Sequence, residues 1–111
     1  MTAAPPAEQQ TDDPIPALIE DAFDASREQP TPERLVEIDK LLREEIDRLS
    51  VTAAAMAENR EVRSRDWYAL VNAVDRADDA RAFQNRSGLA GALNVAELAR
   101  TVIELRKVTA P

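Results

Sequence analysis

Cysteine and histidine are both missing from this chain. Without cysteine there is no disulfide framework, no thiolate metal centre and no cysteine nucleophile. Without histidine there is no Ser-His-Asp triad, and the commonest general base and zinc ligand is gone. Glycine occurs twice, at Gly88 and Gly91, so no glycine-rich phosphate loop can form. Aromatic residues make up only 4% of the 111 residues. No apolar run approaches the roughly 20 residues that span a bilayer. The first ten residues carry neither a basic region nor an apolar stretch, so no secretory signal is expected and the reading is cytoplasmic.

Acids outnumber bases 21 to 14, a formal net charge of −7. That balance argues against generic binding to nucleic acid or to an anionic membrane. The acidity is local: residues 1–32 hold seven acids and one arginine, whereas residues 33–111 are nearly neutral, with 14 acids and 13 bases.

Six of the seven prolines fall before residue 33, and none lies between Glu33 and Ser87, which is also free of glycine. This is the composition of long helices. Residues 1–12 are polar and read as a disordered tail, and residues 13–111 as one helical domain. A short amphipathic helix is expected at about 14–27, capped by Asp13, with Ile15, Leu18, Ile19, Ala22 and Phe23 on one face. A long helix is expected at 32–58, with Thr31 as cap and Pro32 at its first position. Its apolar positions, Leu35, Ile38, Leu42, Ile46, Leu49, Ala53 and Met56, recur with a heptad-like step. Val36 and Leu41 widen that stripe.

A third helix is expected at about 65–83, capped by Ser64, with Trp67, Leu70, Val71, Val74 and Ala77 on one side. A fourth, at about 89–107, offers two parallel apolar sets. One is Leu89, Leu93, Ala96 and Val102 or Ile103; the other is Val95, Leu98, Val102 and Leu105. No segment alternates with period two, so no sheet is expected. The fold class is therefore all-α: an antiparallel three-helix bundle with an extra short N-terminal helix, since short connections make consecutive helices antiparallel.

Four carboxylates, Glu44, Asp47, Asp75 and Asp78, form two i, i+3 pairs. Brought together by antiparallel helices they would suit Mg2+, an oxygen-ligated ion. The pattern resembles the metal motifs of all-α nucleoside triphosphate pyrophosphohydrolases, although Asp47 and Asp75 stand where that family prefers Glu. Chance accounts for the signal. With this many acids about four such pairs are expected, and the sequence has four. Solvated faces, with partners such as Glu44 and Arg48, are the simpler reading.

Residues 65–107 resemble a small helical family of high-GC actinobacterial genomes whose members carry the label "natural product biosynthesis protein". The features in common are Trp67 and Tyr68 opening a helix, Ala73, Ala77 and Ala80, and the run Leu98-Ala99-Arg100. These are packing residues, and the resemblance implies no catalytic residue. Arginine outnumbers lysine 12 to 2, in keeping with such a source.

The expected function is a non-enzymatic helical adaptor or regulator with no cofactor, whose partner is another protein or a second copy of itself. The long apolar stripe over residues 35–56 motivates the homodimer, because a three-helix monomer would leave part of it bare. Ile15, Leu18, Ile19, Phe23 and Tyr68 are the candidate contact residues, the first four on an acidic helix suited to a basic partner. The alternative is the magnesium-dependent pyrophosphohydrolase-like enzyme built on Glu44, Asp47, Asp75 and Asp78.

Overall fold

The structure, a computed structural model, describes residues 13–82 and 88–110. They form four α-helices and no strand: α1 (Ile15–Glu28), α2 (Pro32–Glu58), α3 (Arg65–Ala82) and α4 (Gly88–Thr109). The expected tail at 1–12 and most of the loop before α4 lie outside the described residues.

Helices α1, α2 and α3 start where their sequence supplies a capping side chain. Asp13 Oδ1 accepts from the Ile15 amide at 3.1 Å, but the helix begins one residue later than expected, with Pro14 itself in the cap position. Thr31 Oγ1 accepts from the Arg34 amide at 3.1 Å, and Ser64 Oγ from the Trp67 amide at 3.2 Å. Such bonds satisfy amides that the first helical turn leaves without a partner. Helix α1 ends at Gln29, whose φ of 52° is left-handed and whose amide bonds back to the Ala25 carbonyl. The following Pro30 disfavours a right-handed helical conformation there. Helix α3 ends against a side chain from elsewhere: Arg43 of α2 donates to the Arg81 carbonyl at 2.9 Å.

Helices α2 and α4 are central. Each touches the other three, whereas α1 and α3 make no contact with one another among the described residues. The long seam of α2 is buried from Leu35 to Ala53, with Met56 half-covered. Burying a side chain such as Leu42 contributes about 1.5–3 kcal/mol. Alanines supply much of the remaining interior: Ala22 and Ala25 in α1, Ala73, Ala77 and Ala80 in α3, Ala92 and Ala99 in α4. With no bulk beyond Cβ, they let helix axes approach toward the lower end of the usual 8–10 Å.

Two expectations are corrected here. Val36 and Leu41 do not widen the covered face of α2; both are exposed. Polar residues widen it instead. Asp39, Glu45 and Ser50 are buried, and each has a partner: Arg43 and Asn94 for Asp39, Arg48 for Glu45, Arg81 for Ser50. Of the two apolar sets on α4, only the one containing Val95, Leu98, Val102 and Leu105 is buried.

Candidate functional site

Helix α1 packs on α2 and α4. Asp21 Oδ2 accepts from Arg34 of α2 at 2.5 Å, and Asp13 Oδ2 from Arg106 of α4 at 2.9 Å. The Arg106 hydrogen bond and then the Ile15 amide hold the Asp13 carboxyl below its usual range. The Glu37 and Asp21 carboxylates push the Arg34 guanidinium up, the Glu37 bond more strongly.

The five candidate contact residues divide. Leu18 is buried on the same face as Ala22 and Ala25, so it is a core residue and not a contact residue. Ile15 and Ile19 are half-buried against the core. Phe23 remains 40% exposed, with the Arg100 guanidinium 5.7 Å from its ring centroid, a cation–π distance. Tyr68 is 47% exposed. Although Trp67 and Tyr68 project about 100° apart on the helix, their rings meet edge to face at 5.0 Å. Trp67 is half-buried against the core.

The four carboxylates of the metal reading do not meet around an empty centre. Asp47 and Asp78 converge on one guanidinium: Arg81 pairs with Asp47 at 2.9 Å and with Asp78 in its own helix. Glu44 lies at the mouth of a groove between α1 and α2, and Asp75 is exposed on α3. Among the described residues no three acidic side chains gather where they could hold a metal ion. Arg48 pairs with Glu45, at 2.6 Å, where Glu44 was the expected partner.

A feature that sequence reading left unresolved is the outer face of α4. Leu89 is 66%, Leu93 58% and Ile103 44% exposed. With half-buried Ala96 they follow a 4-3-7 spacing, which places all four on one ridge of the helix. Arg100 and Lys107, both exposed, continue that ridge. Beside it, a groove of about 570 Å3 runs between α3 and α4, with Ala73 and Ala80 among its lining and Arg76, Asp79, Arg100 and Glu104 carrying charge. No helix among the described residues is long and apolar enough to cross a membrane.

No family model, no curated protein and no solved structure matches the chain.

Proposed function

We propose that this protein is a non-enzymatic helical interaction module that binds another protein chain through the outer ridge of α4 and the neighbouring Phe23. The observation that carries this reading is the exposure of Leu89, Leu93 and Ile103 along one ridge. Single exposed apolar residues are ordinary, whereas an ordered row of large ones is the usual mark of a partner surface. Resemblance of residues 65–107 to the actinobacterial family belongs to the same proposal.

The architecture in this reading is an antiparallel three-helix bundle of α2, α3 and α4, with α1 laid on α2 and α4. Side-chain pairings support it. Asp39 pairs with Asn94 and Glu45 comes within 3.9 Å of Arg106, so α2 and α4 run the same way, as the first and third helices of such a bundle do. Asp13 meets Arg106, and Ala25 shares a groove with Leu89 and Ala92. The α2 seam that first motivated self-association is covered by the chain's own helices, so the argument for a partner moves to α4.

The test compares wild type with Leu93→Asp. Wild type is expected to form a complex with another chain, its own or a different one, and the variant to lose it while keeping its helical circular dichroism. The reading is wrong if both proteins bind the same chains equally.

A further inference from the structure

The ridge of α4 has a register that fits itself. Leu89, Leu93, Ala96, Arg100, Ile103 and Lys107 alternate steps of four and three, the a/d spacing of a coiled coil. Reversing the helix about a point beside Leu98 sets Leu93 opposite Ile103, Ala96 opposite Arg100 and Leu89 opposite Lys107. Every large apolar residue then faces another apolar residue or the aliphatic stem of a lysine, which covers apolar surface while its ammonium stays wet. The small Ala96 leaves room for the arginine.

Charge points the same way. Glu97 and Arg100 already pair within the helix at 3.0 Å, and both are about 60% exposed. In the reversed register each Glu97 lies about 1.5 Å along the axis from the opposite Arg100, so two arginines bracket the two acids at the centre of the contact. Along the ridge and the flank toward α3 lie Glu97, Glu104, Arg100 and Lys107, which sum to zero on a chain of −7, and Arg106 on the other flank is already paired with Asp13. A copy of the same acidic chain meets no net repulsion there, and a neutral ridge offers a strongly basic partner nothing specific.

We infer that the partner of this surface is a second copy of the chain, docked through α4 in antiparallel orientation about a two-fold axis beside Leu98. This isologous contact closes on itself and limits assembly to a dimer. The inference rests on the interaction-module reading and names its partner.

Single-cysteine variants test it cleanly, because the chain has no cysteine of its own. In this register two Ala96→Cys residues lie roughly 6 Å apart along the axis, while two Leu89→Cys residues lie roughly 27 Å apart, at about 1.5 Å per residue. A short bismaleimide is expected to link Ala96→Cys into a covalent dimer and to leave Leu89→Cys monomeric. Linking of Leu89→Cys, with or without Ala96→Cys, overturns the antiparallel register, and linking of neither overturns self-pairing. A charge exchange provides the second arm. Arg100→Glu is expected to weaken the dimer about tenfold, and Glu97→Arg in the same chain to restore it. No restoration, in double variants with wild-type helicity, overturns the central charge pairing. If self-pairing fails while Leu93→Asp still abolishes binding to a different chain, the module reading stands and only the second copy is excluded.

Discussion

Asp39 of α2 accepts a hydrogen bond from the Asn94 side-chain amide of α4 at 2.9 Å, across 55 positions of sequence. The same carboxylate takes the Arg43 Nε at 2.8 Å, and Arg43 reaches on to the Arg81 carbonyl of α3. One buried acid thus links α2 to α4 directly and, through Arg43, to the end of α3. Replacing it removes the acceptor that the Asn94 amide and Arg43 Nε share. Asp39→Ala is expected to lower stability by about 2 kcal/mol and Asn94→Ala by about 1 kcal/mol. Because they share one bond, the double variant should lose less than the sum. Urea unfolding of the four proteins checks this.

The contact of α3 with its neighbours depends on small side chains. Ala77 is wholly inaccessible, whereas Ala69 of the same helix is exposed. Ala77→Leu has no space to enter and is expected to cost about 1–3 kcal/mol. Ala69→Leu should stay within about 0.5 kcal/mol of wild type. Equal thermal midpoints for the two variants would show that α3 is not closely packed.

Acid should loosen the start of α1. Its Arg106 and Ile15 bonds depress the Asp13 carboxyl in the folded chain. A depressed carboxyl adds stability that is present above its unfolded value, near 3.9, and is lost as pH falls through the lower folded value. The protection of the Leu18 amide, whose N–H bonds to the Pro14 carbonyl, measured against its intrinsic exchange rate, is expected to fall selectively below about pH 4. Asp13→Asn should exchange faster at neutral pH and show less of this acid dependence. An identical pH profile in the two proteins would disconnect Asp13 from the docking of α1.

Arg81 neutralises Asp47 and Asp78, so removing it leaves two facing carboxylates. Arg81→Ala is expected to lower stability by about 1 kcal/mol, a modest figure because both acids are well solvated. Wild type should show no rise in thermal midpoint with millimolar Mg2+, since a bound ion would stabilise the folded state by mass action. A rise of several degrees that disappears in Asp47→Asn would establish the metal reading.

Much of the fold was legible because local signals agreed. Thr31 and Ser64 cap the helices they were expected to cap, and the α2 seam from Leu35 to Ala53 is the buried face. The differences arise where polarity and packing disagree. Asp39 and Ser50 are buried where Asn94 and Arg81 reach them from other helices, and Glu45 where Arg106 of α4 comes within 3.9 Å; periodicity of apolar residues carries no trace of such partners. Val36 and Leu41 are as apolar as the core, but Val36 faces water and Leu41 sits at the open groove beside α1. On α4 the sequence offered two equivalent apolar stripes. Only the positions of the other three helices decide that Val95, Leu98, Val102 and Leu105 turn inward and that Leu89, Leu93 and Ile103 face water. Leu18 was an expected contact residue because an isolated amphipathic helix looks the same whether its apolar face meets its own chain or another.

The central claim is that the outer ridge of α4 binds a chain, and that this chain is a second copy. Sedimentation equilibrium across the micromolar range, on wild type and on Leu93→Asp, tests it most directly. Wild type is expected to approach twice the 12.3 kDa chain mass and the variant to stay at one chain mass with unchanged helicity. A wild-type protein that remains at 12.3 kDa throughout, or a variant that dimerises equally well, would contradict it.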